Sequence, residues 1–474
     1  MSIRARNVTG IAAAVSVVAL LSIIVVQTGG PGPAPAGAQA PAAEPRAAAP
    51  VTPRNPKPVA VDPAADEKAQ RPDVDAEPTD ARALFDCADA GAPKGSETGV
   101  TKDRVVVGAT VPLSGHAASF GSEIRFGMEA MKHRINRAGG ICGRRLDIQI
   151  MDDGADATRG AEYLCAMGRT VFALLVVPFS GSLQQAVDSG CIDRLDVPVV
   201  QALGSFYPWR VSDPWVWSVG ATGETFARIA ALYAYEAGAR RFGIVFEREP
   251  EPAFVPAARA YNAAVRRLTG ANIDGFNAAG TCERRYCGLV RGQSSAIAEA
   301  GEYHEHEGDV TALAMTPPTA LEWMGTPGTV NATEQRYDAG PALLAKSFAT
   351  NCQRVCDGMH VWSPFELPLP DASAAARRYA ADLAAINPEA DPFFVETQAA
   401  YVGLAVLADA MAQTGSGLTR AAMRDALTTG TFDVGLLPPI SFGPASGARC
   451  MRTYDIQYRA TFNGWKPSSR WVCA

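Results

Sequence analysis

Two tracts in this chain end in residues that could hold an anion. Residues 171–179 (VFALLVVPF) form a continuous apolar run that leads into Ser180-Gly181-Ser182. Residues 196–202 (DVPVVQA) form a second, ending in Leu203-Gly204-Ser205-Phe206. Both runs read as strands buried on two faces, followed at their carboxyl ends by glycine and hydroxyl residues. In open α/β sheets ligands sit beyond that edge, where backbone N–H groups and helix N-termini favour negative charge. The chemistry implied is capture of an anionic group by N–H and O–H donors. A covalent mechanism finds little support: there is no G-x-S-x-G, and the five histidines are His116, His133, His304, His306 and His360. Only His116 lies near the expected edge, and one histidine in a polar loop is a poor basis for catalysis. His304-Glu305-His306-Glu307 is not H-E-x-x-H and has no third ligand in reach of its pattern, so it reads as a solvated charge run. No catalytic residue, metal ligand or cofactor is therefore expected.

The elements that position these tracts are organised around residues 101–153. Arg104–Val111 is a short β-branched run that suits a central strand. After a Ser114-Gly115 turn, Ile124, Met128, Met131 and Ile135 recur at i, i+4, i+7 and i+11, the apolar stripe of a helix. Gly139-Gly140 stops it. Residues 146–150 (LDIQI) alternate, as in a half-exposed edge strand. The pattern restarts after Thr222, with a helix marked by Phe226, Ile229 and Tyr233 and a strand at 242–246. A helix over 256–268 and strands at 273–276, 310–315 and 358–362 follow. Residues 281–309, including the acidic run 302–309 (EYHEHEGD), read as an insertion. Beyond Pro364 the pattern predicts helices over 396–411 and 420–427 and an alternating strand over 454–462.

A chain of 474 residues has room for two or three domains. Its net charge of −6 argues against nucleic acid or an anionic membrane as main partner. At the N-terminus, Arg4 and Arg6 precede an apolar run over 11–26, so residues 1–28 read as an export signal or N-terminal anchor. Residues 29–82 are Pro/Ala-rich with few large apolar groups and cannot offset their ordering entropy; with the following residues to 95 they read as a tether. The location expected is extracytoplasmic, and the membrane is touched only through that possible anchor. Ten cysteines in an exported chain point to disulfides. Cys282/Cys287 and Cys352/Cys356 can close small loops, and Cys450/Cys473 would pin the C-terminal strands together. Cys352-x-x-x-Cys356 also resembles half a zinc site, without a second half at suitable spacing.

The string VGATVPLSG…FG…GMEAM…INRAGGICGRRLDIQIMDD resembles the opening of the type I periplasmic binding proteins. Within them it is similar to the branched-chain amino-acid (Leu/Ile/Val) binding family of ABC importers. The resemblance implies two Rossmann-like α/β lobes of the Venus-flytrap kind, joined by three hinge strands. Crossings would fall near Val219, near Pro364 and near residues 437–442. Lobe 1 would comprise 96–219 and 365–436, and lobe 2 would comprise 220–364 and 437–474. It implies ligand contacts at Ser180, Gly181 and Ser182, at Gly204 and Ser205, and from Phe120 as an aromatic wall. It also implies that Cys165 and Cys191 sit on adjacent helices, leaving Cys87 to Cys142. Relatives carry a tyrosine after the strand equivalent to 242–246, where this chain reads Glu247-Arg-Glu-Pro-Glu-Pro. Glu249 or Glu251 would then be the residue to meet a ligand cation. Thr316-Pro317-Pro318 is a further lobe 2 candidate. The implied partners are a small polar or carboxylate-bearing molecule and an ABC permease. A ligand-sensing module of the same fold, uncoupled from transport, is the alternative.

Overall fold

The computed structural model describes residues 84–88, 97–177, 180–203, 214–248, 254–277, 282, 287–290, 296, 299–300, 303, 308–325, 336–442, 447–459 and 461–473. Two units are distinguished, Met1–Pro53 and Arg54–Ala474. The first, with the expected signal and the beginning of the tether, lies outside the described residues, as does the tether on to residue 83. So do Gly204, Ser205, Glu249, Glu251, His304 and His306.

The first sheet is wholly parallel, in the order β2-β1-β3-β4-β5. Its strands are β1 (Arg104–Val111), β2 (Arg145–Asp152), β3 (Ala173–Val176), β4 (Val199–Gln201) and β5 (Val216–Ser218). The alternating segment is indeed the edge strand, because only its inner face has a helix to bury against. Parallel strands need crossovers, supplied here by α1 (Ala118–Arg137), α2 (Ala157–Met167), α3 (Ser180–Asp188) and α4 (Cys191–Arg194). The α1 stripe of Ile124, Met128, Met131 and Ile135 is buried as its spacing requires, each side chain contributing about 2 kcal/mol. Gly139 (φ 97°) and Gly140 (φ 79°) end the helix in conformations that L side chains rarely adopt. Gly190 (φ 68°) separates α3 from α4.

The second sheet begins after β5. It alternates α5 (Gly223–Glu236), β6 (Phe242–Glu247), α6 (Phe254–Thr269), β7 (Cys287–Val290), β8 (Val310–Ala314), α7 (Pro317–Gly325), β9 (Arg336–Ala339), α8 (Lys346–Cys352) and β10 (His360–Ser363). Two expectations need correction. Residues 273–276 turn through Gly275 (φ 86°) and make only an isolated bridge from Phe276 to Cys282. The edge strand is instead β7, inside the segment read as an insertion. The chain then returns to the first sheet through α9 (Ala374–Ile386), α10 (Val395–Thr414) and α11 (Arg420–Thr429). A small ladder of β11 (Thr431–Phe432) and β12 (Ile440–Ser441) follows. Finally β13 (Cys450–Tyr458), β14 (Phe462–Pro467) and β15 (Val472–Cys473) complete the second sheet, whose order is β14-β13-β10-β9-β8-β6-β7, with β15 pairing off β13.

The α10 helix is buried around most of its circumference, between α1, α11 and the carboxyl half of β3 and β4. Two glycines allow this. A Cβ on Gly127 of α1 would lie 2.2 Å from the Thr397 carbonyl, and one on Gly403 would lie 2.6 Å from Ala202 Cβ. The carbonyl of Ala412, near the far end of α10, accepts from Ala88 N, and that of Ser416 accepts from Arg144 at the start of β2. Helix α10 therefore runs antiparallel to the strands, and its first turn emerges at their carboxyl edge.

Three crossings join the sheets. The first runs from β5 through Val219 and Gly220, whose N–H groups still bond to Gln201 and Ala202. The second leaves β10, with Glu366 N bonded to the Leu436 carbonyl and Leu367 N to Tyr454 Oη. In the third, Ala448 N reaches the Val219 carbonyl before the chain enters β13. The segment 437–442 itself lies on β12, paired to β11. The cysteines pair as Cys87–Cys142, Cys165–Cys191, Cys282–Cys287, Cys352–Cys356 and Cys450–Cys473. Among the described residues no helix is long and apolar enough to cross a membrane.

Candidate functional site

In each sheet the strand order reverses direction at one place, between β1 and β3 in the first and between β6 and β8 in the second. A crevice opens at the carboxyl ends of such neighbours because their crossover helices go to opposite faces. Both switch points carry polar groups.

At the first, Asp152 closes β2 and fastens the Leu113-Ser114 loop that follows β1. Its Oδ1 accepts from Leu113 N at 2.8 Å, Ser114 N at 3.1 Å and Gly154 N at 3.0 Å. The Ser114 hydroxyl and these N–H groups hold the Asp152 carboxyl below its usual range. The next residue behaves oppositely. Burial pushes the Asp153 carboxyl up, partly offset by the Ala155 N–H and the Thr110 hydroxyl. The loop bends through Gly154 (φ 57°) and Ala155 (φ 64°) to do this, and Asp156 then caps α2 by accepting from Arg159 N.

Ser180 opens α3 and Gly181 is its second residue, half-buried; a Cβ there would only touch Ala157 at 3.5 Å. Ser182 is 2% exposed, and its Oγ has no hydrogen-bond partner among the described residues. It lies against Gly160 of α2, within 2.4 Å of where a Cβ on that glycine would stand. The Ser182 hydroxyl is thus enclosed between α2 and α3, while Gly181 remains partly open at the start of the helix.

Phe120, one turn into α1, meets Phe394 edge-on with ring centroids 4.8 Å apart. Phe394 immediately precedes α10, so Phe120 has an aromatic neighbour that sequence reasoning missed. The available signal was the Phe393-Phe394 pair just before a long apolar helix.

The second switch point holds Glu247, the last residue of β6 and 2% exposed. Its Oε2 accepts from Thr316 N and Thr316 Oγ1, both at 2.8 Å, and its Oε1 from Thr319 Oγ1 at 2.9 Å. Thr316 immediately precedes α7, so this carboxylate already satisfies the positive start of that helix. The acid sought at Glu249 or Glu251 therefore has a neighbour, two residues upstream, fixed at the edge itself. Among the described residues no group of three or more His, Cys, Asp or Glu is placed to hold a metal ion.

Residues 104–460 match the sequence profile of the periplasmic binding proteins. Solved structures share the fold. A possible leucine/isoleucine/valine-binding protein from Rhodopirellula baltica SH 1 superposes with a TM-score of 0.64 at 16% identity, over 79% of this chain and 98% of its own. A fatty acid ABC transporter substrate-binding protein from Thermomonospora curvata gives 0.64 at 17%, over 80% and 95%. The branched-chain amino acid transporter substrate-binding protein LivJ from Streptococcus pneumoniae, in complex with isoleucine, gives 0.62 at 15%, over 78% and 100%. A curated relative, Leu/Ile/Val-binding protein homolog 1 from Brucella abortus, is 41% identical over 56 residues, which are 12% of this chain and only 15% of that protein.

Proposed function

The chain belongs to the periplasmic binding protein family, and on that premise we propose that it is an extracytoplasmic solute-binding protein. It takes a small ligand with one anionic end between its two lobes and delivers it to an ABC permease, without chemical turnover. Lobe 1 receives the anionic group at the start of α3, through Gly181 and Ser180 with the enclosed Ser182 behind them, and through Gly204 and Ser205 after β4. The Phe120–Phe394 pair lines the apolar part of the same edge.

The observation that carries the choice of ligand is Glu247. Helix α7 would otherwise offer lobe 2 a second anion site, but its start is already occupied by a buried carboxylate with three donors. A second negative group on the ligand would meet that charge at short range. The ligand is therefore a monoanion whose other end is cationic, neutral-polar or apolar, such as an amino acid or a monocarboxylate, and not a dicarboxylate.

A thermal-shift screen of residues 83–474 in non-reducing buffer tests this. Branched-chain and polar amino acids, aliphatic and aromatic monocarboxylates and matched dicarboxylates form the panel. A ligand at about a hundred times its Kd stabilises by about 2.7 kcal/mol, a shift of several degrees. The expected result is a selective shift by a monocarboxylate-bearing compound and none by its dicarboxylate partner. Glu247→Gln should reduce that discrimination. A dicarboxylate that shifts the wild type more than any monoanion would overturn the reading.

A further inference from the structure

Away from the crossing segments, the lobes are joined on the face where α10 begins. Lys346 N, in lobe 2, donates to Asp391 Oδ2 of lobe 1 at 2.6 Å. Val395 N of lobe 1 donates to the Leu344 carbonyl of lobe 2 at 3.3 Å. The lobe 1 partner is one short segment, the end of the α9–α10 connection, and it is held from behind. Asp391 N donates to Glu123 Oε2 at 3.1 Å, and Thr397 Oγ1 lies 3.5 Å from the same oxygen. Asp391 Oδ1 accepts from Phe393 N at 3.0 Å, which fixes the turn. Glu123 stands one turn after Phe120 on the same face of α1, so a single face of α1 grips both Asp391 and Phe394.

We propose that residues 391–395 form an interlobe clasp, in which closure seats the Asp391 carboxylate on the Lys346 N–H and opening of the cleft releases it. The proposal goes beyond solute binding, because it concerns how much of the ligand-free protein is closed. Three features suit a reversible fastening. Among the described residues, the groups that face Asp391 are Glu123 on α1, Tyr379 on α9 and Lys346 on α8, and the cation of these belongs to the other lobe. Lys346 is exposed and Asp391 only half-buried, so water replaces the bond as soon as the lobes part. Burial pushes the Asp391 carboxyl up while the N–H groups of Lys346 and Phe393 pull it back, so the bond to Lys346 N–H favours the charged form that the closed state seats. Phe394 is on the same segment, so fastening the clasp also sets the aromatic wall of the cleft.

The test needs no ligand, and its failure is therefore separate from a failure of the solute-binding reading. The full chain carries a spin label at Gln185 in lobe 1 and another at Arg266 in lobe 2, both exposed. The labels are introduced through non-cysteine chemistry so that the disulfides stay intact, and the distance distribution is read by pulsed electron resonance. Asp391→Ala should lower the closed-to-open ratio by about three- to tenfold, the worth of one ordinary, partly exposed hydrogen bond. Asp391→Asn, which keeps a neutral acceptor, should fall between. Asp371→Ala, an exposed acid elsewhere in lobe 1, should leave the distribution unchanged. A wild-type distribution in a folded Asp391→Ala protein would overturn the clasp. Should that variant not fold, an unchanged distribution in Asp391→Asn would do the same, and a shifted one would support it.

Discussion

Replacing Glu396 with Gln is expected to make the protein more stable at pH 8 and to change nothing near pH 4. Glu396 is the second residue of α10, 7% exposed, and its Oε2 has no hydrogen-bond partner. Burial pushes its carboxyl up to about 8, with only its own backbone N–H pulling it down. In the unfolded chain the same group has an ordinary carboxylate value. Between those two values the unfolded state is ionised and the native state is not, so unfolding releases a proton. Stability is then fully present below about pH 4.5, falls as pH rises toward 8, and levels off above it. At about 1.4 kcal/mol per unit, the loss over that window is about 3–5 kcal/mol. Gln has the shape of the protonated acid and cannot ionise. Chemical denaturation at pH 4.5, 6.5 and 8.5 should show wild type and variant diverging steadily with pH. Parallel profiles would mean that Glu396 finds a partner or water on ionisation, and the prediction would fail.

Arg420→Met should cost about 3–5 kcal/mol, among the largest effects available to one substitution. Arg420 is 8% exposed and, among the described residues, has no carboxylate among its hydrogen-bond partners. Instead Nε donates to the Phe172 carbonyl, Nη1 to that of Leu195, and Nη2 to those of Gly168 and Val171. These carbonyls come from the end of α2, the approach to β3 and the end of α4, so one side chain gathers acceptors from three elements. Removing the side chain leaves buried acceptors unpaired. Lysine cannot reach four acceptors at once, so Arg420→Lys should recover less than half of the loss. Urea midpoints at a constant slope would measure both variants. A loss below about 1 kcal/mol in Arg420→Met would show that water substitutes freely there.

The legible parts of the sequence were those where local pattern and tertiary role agree. Arg104–Val111 is apolar because both faces are covered, the α1 stripe faces the core it was spaced for, and Gly139-Gly140 occupies conformations glycine alone tolerates well. The illegible parts are those where a partner distant in sequence changes what a residue means. Strand β9 reads Arg-Tyr-Asp-Ala, with two charges in four residues, and lies inside the second sheet because Arg336 pairs with the fully buried Asp338. Strand β7 was hidden in a polar segment, where pairing to β6 overrides a weak local preference. The strand ends at the candidate site could be found from the chain alone, and Phe120 only through the family resemblance. Glu247 could not, because its meaning depends on Thr316 and Thr319, about seventy residues away. Phe394 became visible only when α10 was seen to start at the cleft.

The disulfide between Cys87 and Cys142 has a mechanical consequence. Cys142 lies in the turn that leads into β2, at the amino edge of the first sheet, and Ala88 is bonded to the far end of α10 nearby. The cleft is at the opposite, carboxyl edge. A load taken up at Cys87 therefore enters the first sheet at the edge away from the candidate site and does not pass through the three crossings.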